Sequence, residues 1–273
     1  MTAAGTGGAG GHAISLASGV VPEFGPIETI DAAVAGGFDA VGLWIEPADW
    51  TDATTRAAKA RLADAGLPLL DVEVVWIKPG PLDPDHLRII DIGAEMGAAN
   101  VLVVSSDPDQ GATAAKFARL CAHGGERGMR IALEFGMFTD VKTIDQALAV
   151  IAAAGDPAAA LLVDPIHLSR SGGSPEDVAA VPRHLLPYAQ MCDAVAIGPD
   201  PHDFDGIIRE AVDERLQTGE GALPLAAVMR ALPDRVPLSI ELRSKALRDA
   251  FPDPGARAKA VADATRRFLA TLN

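Results

Sequence analysis

The sequence predicts a single (β/α)8 barrel, an α/β fold of the TIM-barrel type. Short apolar runs alternate with helical stretches along the chain, the same glycine punctuation separates them, and 273 residues suit one barrel. A hydrophobic content of 49% supplies the core that one large domain needs. The barrel is expected over residues 12–273, preceded by an Ala- and Gly-rich flexible tail over residues 1–11.

The elements follow in order. Candidate strands are Ala13–Ser18, Ala40–Trp44, Leu69–Val75, Asn100–Ser105, Arg130–Glu134, Ala160–Asp164, Tyr188–Asp193 and Leu238–Glu241. Between them, helical periodicity runs through Ile27–Ala35, Ala53–Ala65, Leu87–Met96, Ala112–His123 and Ile144–Ala154, several ending at a glycine suited to a C-cap. Gly-Phe-Asp-Ala-Val, Gly-Leu-Pro-Leu-Leu, Gly-Ala-Ala-Asn-Val and Gly-Met-Arg-Ile-Ala each stop a helix and restart a strand. Such alternation implies parallel strands with crossover helices. A doubly wound open sheet also alternates, but its dinucleotide-binding form needs a Gly-rich loop after the first strand, and here Gly5 to Gly11 precede it. Ala194–Asp203 reads as a loop over the C-terminal face of the strands.

Composition excludes several function classes. A net charge of −14 without a local basic patch disfavours nucleic acid as a partner. Cys121 and Cys192 lie far apart, with no spacing for a zinc clip or disulfide framework, so a reducing cytoplasm is expected. No run approaches a membrane span, and the N-terminus lacks the charged-then-apolar pattern of an export signal. The expected partner is a small-molecule substrate. Barrels of this kind often form homodimers.

The chemistry is legible in where the polar residues fall. Otherwise apolar strands carry Glu73, Glu134, Asp164, Gln190 and Glu241 toward their C-terminal ends, the face on which barrel active sites lie. Each acid taken alone suits a surface salt bridge. A desolvated cluster instead calls for a cation or a bound proton. Glu134, Asp164, Gln190 and Glu241 together offer oxygen donors, which suit Mg²⁺, Mn²⁺ or Co²⁺ better than zinc. Trp44 and Trp76 would set apolar faces beside an organic ring, or simply pack. Glu73 reads as a further acid/base group or as a partner for Lys78, and Arg170 as a cap or ion-pair residue. Cys192 reads as a buried thiol rather than a nucleophile.

The runs Leu133-Glu134-Phe135, Val163-Asp164-Pro165-Ile166-His167-Leu168-Ser169-Arg170-Ser171-Gly172, Gln190-Met191-Cys192-Asp193-Ala194, Gly219-Glu220-Gly221-Ala222-Leu223 and Ser239-Ile240-Glu241 resemble the sugar phosphate isomerase/epimerase family of xylose-isomerase-like barrels. The resemblance implies a divalent metal held by Glu134, Asp164, Gln190 and Glu241, with His167 reaching the substrate and Glu134 and Glu241 as the acid/base pair. Arg215 resembles the family position that contacts substrate oxygens; a surface salt bridge is the other reading. The chain departs from the family pattern at Gln190, where histidine is common. An amide oxygen is a harder and weaker donor, which favours Mg²⁺ or Mn²⁺.

A metal ringed by carboxylates can polarise a carbonyl and abstract the neighbouring C–H proton. The leading expectation is therefore a metal-dependent isomerase or epimerase acting on a sugar or polyol-like hydroxy-ketone. The alternative is a lyase on the same barrel, dehydrating a cyclic hydroxy-ketone such as a dehydroshikimate or an inosose, or cleaving a keto-glycoside. Barrel endonucleases use histidine-rich zinc clusters and basic surfaces, whereas of the six histidines here only His167 falls at a candidate site.

Overall fold

Eight parallel strands form one sheet in the order β6-β5-β4-β3-β2-β1-β8-β7 in the computed structural model, which describes residues 11–272. They are β1 (Ile14–Leu16), β2 (Ala40–Trp44), β3 (Leu69–Ile77), β4 (Asn100–Ser105), β5 (Arg130–Glu134), β6 (Ala159–Leu162), β7 (Ala189–Met191) and β8 (Leu238–Ile240). The Gln190 N–H donates to the Val163 carbonyl at 2.9 Å, which carries the pairing from β7 back to the chain just beyond β6 and rounds off the barrel. The tail expected over residues 1–11 lies outside the described residues except for Gly11.

The helices are α1 (Pro26–Gly36), α2 (Asp52–Ala65), α3 (Pro84–Met96), α4 (Gln110–Gly125), α5 (Ile144–Ala154), α6 (Pro165–Arg170), α7 (Pro175–Ala180), α8 (Phe204–Asp213), α9 (Leu225–Ala231), α10 (Lys245–Ala250) and α11 (Pro254–Ala270). Local chemistry sets many of their ends. Thr143 and Gln146 form a reciprocal capping box at the start of α5, and Gly37 ends α1 at φ 71°, a left-handed conformation that favours glycine.

The second, fourth and fifth strands occupy the expected residues, while others end early or late. The sixth stops at Leu162 because Asp164 turns out of the ladder to cap α6 and Pro165 has no N–H to donate. The seventh stops at Met191 because Asp193 pairs with Leu216 in an antiparallel bridge. The third runs on to Ile77, so Glu73 lies within it, in register with Trp44 at the end of β2.

Two apolar regions result. The larger fills the shell between strands and helices, with Leu16, Phe117, Leu133, Met191 and Ile240 among its buried members. The smaller, including Ala132, Ala160, Leu162 and Tyr188, fills the barrel interior, and Val74, Trp76 and Phe138 pack against it. Strand residues therefore alternate between shell and interior, and this alternation aims the polar strand-end groups at one rim.

Candidate active site

Asp164 is the N-cap of α6, and its Oδ1 accepts from the Ile166 N–H at 2.9 Å. One turn later the chain brings His167 back over the same face, with Nε2 3.8 Å from Asp164 Oδ2. The Asp-x-x-His spacing is thus a first-turn helix geometry. Glu134 closes β5 and Glu241 follows β8 directly. Glu134, Asp164 and His167 each offer one donor atom within 4.8 Å of the others, and all three are buried.

Arg215 enters from the segment after α8. Antiparallel bridges Asp193↔Leu216 and Glu214↔Ser244 tie that segment to the loops after β7 and β8. The Arg215 Nη1 lies 2.6 Å from Asp164 Oδ2 and 3.0 Å from Glu241 Oε2, and it donates to the Glu241 carbonyl at 3.1 Å. Its Nε donates to the Ala211 carbonyl at 2.7 Å, and Nη2 faces His167 Nε2 at 3.4 Å. The ion pair is buried, which corrects the alternative of a surface salt bridge.

A cavity of about 120 Å³ opens above these groups. Glu73, Glu134, His167, Arg215 and Glu241 line it, together with Trp44, Trp76, Phe138 and Arg243. Trp76 is fixed by a 2.8 Å hydrogen bond from Nε1 to Ser106 Oγ and meets Phe138 edge-on, while Phe138 packs 4.9 Å from the His167 ring. Trp44 remains partly exposed at the rim. Asp164 and Gln190 lie among the supporting residues rather than in the cavity wall.

The electrostatics divide the acids. Burial, then repulsion from Glu241 and Asp164, holds the Glu134 carboxyl well above its usual range. Burial also lifts Glu241 to about 7, Arg215 only partly offsetting it. Burial raises Glu73 as well, against the hydrogen bond it accepts from Ser18. At Asp164 burial also pushes upward, but Arg215 and His167 outweigh it and hold the carboxyl low. His167 is pushed down to about 4 by burial, so its imidazole is neutral at physiological pH.

The donor set fits a divalent cation. Glu134 Oε1 and both amide heteroatoms of Gln190 are buried without a hydrogen-bond partner, an arrangement that is costly unless a ligand meets them. Carboxylates at Glu73, Glu134, Asp164 and Glu241 also outweigh the nearby guanidinium groups. The three-residue cluster contains His167, which the sequence reading had assigned to the substrate, while Glu241 turns its Oε2 to Arg215.

Other expectations resolve structurally. Glu73 pairs with Ser18 rather than Lys78, because strand register turns it into the barrel. Arg170 holds Glu210 at 2.6 Å. Cys192 is a buried thiol, raised by burial and by Asp164. Asp193 accepts from the N–H groups of Ala194, Gly219, Gly221 and Leu223 at 2.9, 3.1, 2.9 and 3.0 Å. The Gly219-Glu220-Gly221 run is therefore a turn folded around one carboxylate. Sequence reasoning missed Ser18, Phe138 and Arg243. Phe138 lies in a loop without periodicity, but Arg243 was legible as the next inward position after Ser239 and Glu241.

Known proteins resemble this chain in sequence, and solved structures share its arrangement of elements. The chain is 26% identical over 249 residues to a 3-dehydroshikimate dehydratase of Pseudomonas putida, an alignment covering 85% of this chain and 38% of that protein. It is 27% identical over 268 residues to a 3-dehydroshikimate dehydratase of Pseudomonas aeruginosa, covering 92% of this chain and 40% of that one. The chain thus spans about two-fifths of the length of these curated relatives. Among solved structures, the IOLI protein with a bound zinc atom superposes with a TM-score of 0.81 at 14% identity, covering 96% of this chain and 99% of that one. With residues 30–271 matching the family, the chain belongs to the xylose isomerase-like TIM barrels.

Proposed function

We propose that this barrel is a divalent-metal-dependent dehydratase acting on a cyclic hydroxy-ketone of the dehydroshikimate type. The observation that carries the reading is the pairing of Glu134 and Glu241, both held above the usual carboxylate range, across a cavity of about 120 Å³ walled by Trp44, Trp76 and Phe138. Flat aromatic walls suit a six-membered ring that becomes planar as it loses water. The likeness to 3-dehydroshikimate dehydratases supports the same reading.

Dehydration removes a proton from the carbon beside the carbonyl and a hydroxyl from the next carbon. The C–H electron pair becomes the new double bond, and the hydroxyl leaves as water with a proton from the enzyme. Carboxyl groups that titrate near neutrality can serve as base in one step and acid in the other. Glu241, at about 7, is poised for both. His167, neutral and braced by Phe138 and Arg215, contacts a substrate oxygen without adding charge. A cation held by Glu134, Asp164, Gln190 and Glu241 would supply Lewis acidity at the carbonyl oxygen. The oxygen-rich set favours Mg²⁺, Mn²⁺ or Co²⁺, and His167 beside it makes the site more accommodating to softer ions.

An isomerase or epimerase would begin with the same proton abstraction and differ only in returning the proton to carbon. The dehydratase likeness favours loss of water. Two buried free cysteines and a net charge of −14 suit a reducing cytosolic setting and a small-molecule partner. No helix among the described residues is long and apolar enough to cross a membrane.

The test is incubation of Mn²⁺-loaded protein with 3-dehydroshikimate in heavy water, followed by ultraviolet absorbance of the aromatic product and by mass. Appearance of 3,4-dihydroxybenzoate is expected. Deuterium uptake into recovered hydroxy-ketone with no loss of water would favour the epimerase reading.

A further inference from the structure

We propose that Arg243 anchors a substrate carboxylate, which makes the site selective for cyclic hydroxy-acids over neutral polyols; the proposal rests on the dehydratase reading above. Ser239, Glu241 and Arg243 form the alternation at the end of the eighth strand, with Ile240 and Leu242 buried in the shell between them. Arg243 therefore points over the same rim as Glu241. Its side chain crosses Gly19 so closely that a Cβ there would lie 2.9 Å from Arg243 Cγ, and only a glycine leaves it that path.

The cations around the site differ in what they hold. Arg215 is ion-paired to Asp164 and Glu241, Arg170 to Glu210, Arg248 to Asp213 and Arg257 to Glu23. Arg243 makes no ion pair or side-chain hydrogen bond with any described residue, and its Nε is buried without an acceptor. A guanidinium donor withdrawn from water without a partner is unfavourable, and its planar fork matches a carboxylate by two parallel hydrogen bonds.

Arg243 also lies where such a group would arrive. It lines the cavity that holds Glu73, Glu134 and Glu241, and it lines an adjoining one of about 450 Å³ that includes Ser18, Phe24 and Trp50; Trp44 is shared by both. A carboxylate at the acidic end would meet like charge. Glu46 and Asp49, on the outer wall of the larger cavity, repel it from there as well. A ring with a hydroxy-ketone at one end and a carboxylate at the other is thereby oriented, ketone toward Glu134 and Glu241, carboxylate toward Arg243.

The experiment is calorimetric titration of wild type, Arg243→Met and Arg243→Lys with 3,4-dihydroxybenzoate and with catechol, which differ only in the carboxylate. Wild type should bind the acid roughly 10- to 100-fold more tightly than catechol, the range of a charge-assisted hydrogen-bonded pair. Arg243→Met should lose that preference and keep its catechol affinity, and Arg243→Lys should recover part of it. Equal wild-type affinity for the two ligands, binding of neither, or parallel loss of both in Arg243→Met overturns the proposal. Circular dichroism of the variants separates misfolding from lost recognition. Turnover of 3-dehydroshikimate is scored separately: no product, with the acid preference intact, refutes the dehydratase and leaves the anchor standing. Product formation by Arg243→Met with an unchanged KM refutes the anchor alone.

Discussion

Arg215 and Asp164 form a buried ion pair at 2.6 Å, and the same guanidinium nitrogen reaches Glu241 at 3.0 Å. One cation from the segment after α8 therefore links strand ends six and eight and pulls the carboxyls around it downward against the effect of burial. It holds the Asp164 carboxyl low, whereas burial and repulsion from Glu241 and Asp164 keep Glu134, outside its hydrogen-bonding reach, well above the usual carboxylate range.

Replacing Arg215 by Met removes this link and leaves Asp164 and Glu241 facing each other. The metal-free protein should lose about 3–5 kcal/mol of stability, the usual cost of stripping one partner from a buried pair. Urea unfolding measures it. Mn²⁺ should restore more stability to Arg215→Met than to wild type, since the cation then takes over the neutralising role; equal stabilisation of the two proteins would show that Arg215 and the metal address different carboxylates.

The ligand role proposed for Glu241 gives metal binding an expected pH dependence. Its carboxyl must ionise to act as a ligand, so apparent Mn²⁺ affinity should rise with pH through about 7 and level off above it. Calorimetry in two buffers of different ionisation enthalpy should register proton release below that point. In Glu73→Gln the midpoint should move lower, because Glu73 is one of the charges that raises Glu241.

Stability of the metal-free protein should show the reverse trend from the same group. Glu241 binds its proton more tightly folded than unfolded, so its contribution is present at low pH and is lost as pH climbs from the ordinary 4.5 to about 7. The loss amounts to about 3 kcal/mol at most. His167 acts oppositely: its folded value of about 4 lies below the ordinary 6.5, so its contribution appears as pH rises through that interval. Melting curves of wild type, Glu241→Gln and His167→Gln across this range should separate the two slopes.

His167→Gln should preserve the fold, slow turnover by roughly 10² to 10⁴ if the imidazole moves a proton, and leave Mn²⁺ affinity within a few-fold if it faces substrate. A large fall in affinity instead would make His167 a ligand beside Glu134 and Asp164. Gln190→His should shift preference toward Co²⁺ or Zn²⁺, because imidazole is a softer donor than an amide oxygen.

Asp193→Ala should destabilise the fold by about 3 kcal/mol or more, since four backbone N–H groups lose their acceptor. Thermal unfolding checks the loss, and limited proteolysis should find new cleavage near Gly219. Asp193→Asn, which keeps one carbonyl oxygen, should lose less.

The barrel and the polar residues at its strand ends were legible in the chain because both rest on local periodicity. Runs such as Asn100–Ser105 and Arg130–Glu134 are apolar where a two-sided buried strand must be, and Glu134, Asp164 and Glu241 stand out as acids against that background. The Asp164–His167 spacing was equally visible, since helix geometry alone joins those residues. Only the tertiary structure decided which groups share charge. Arg215 reaches Asp164 across 51 positions of sequence, and Ser18 reaches Glu73 across 55, through bridges and register that no local pattern encodes. The same holds for Asp193, which stands three residues after Gln190 in sequence but which the fold turns toward the Gly219–Gly221 backbone. Side-chain type and local period follow from neighbouring residues; partnership between ionisable groups follows from which strand ends the closed barrel brings together.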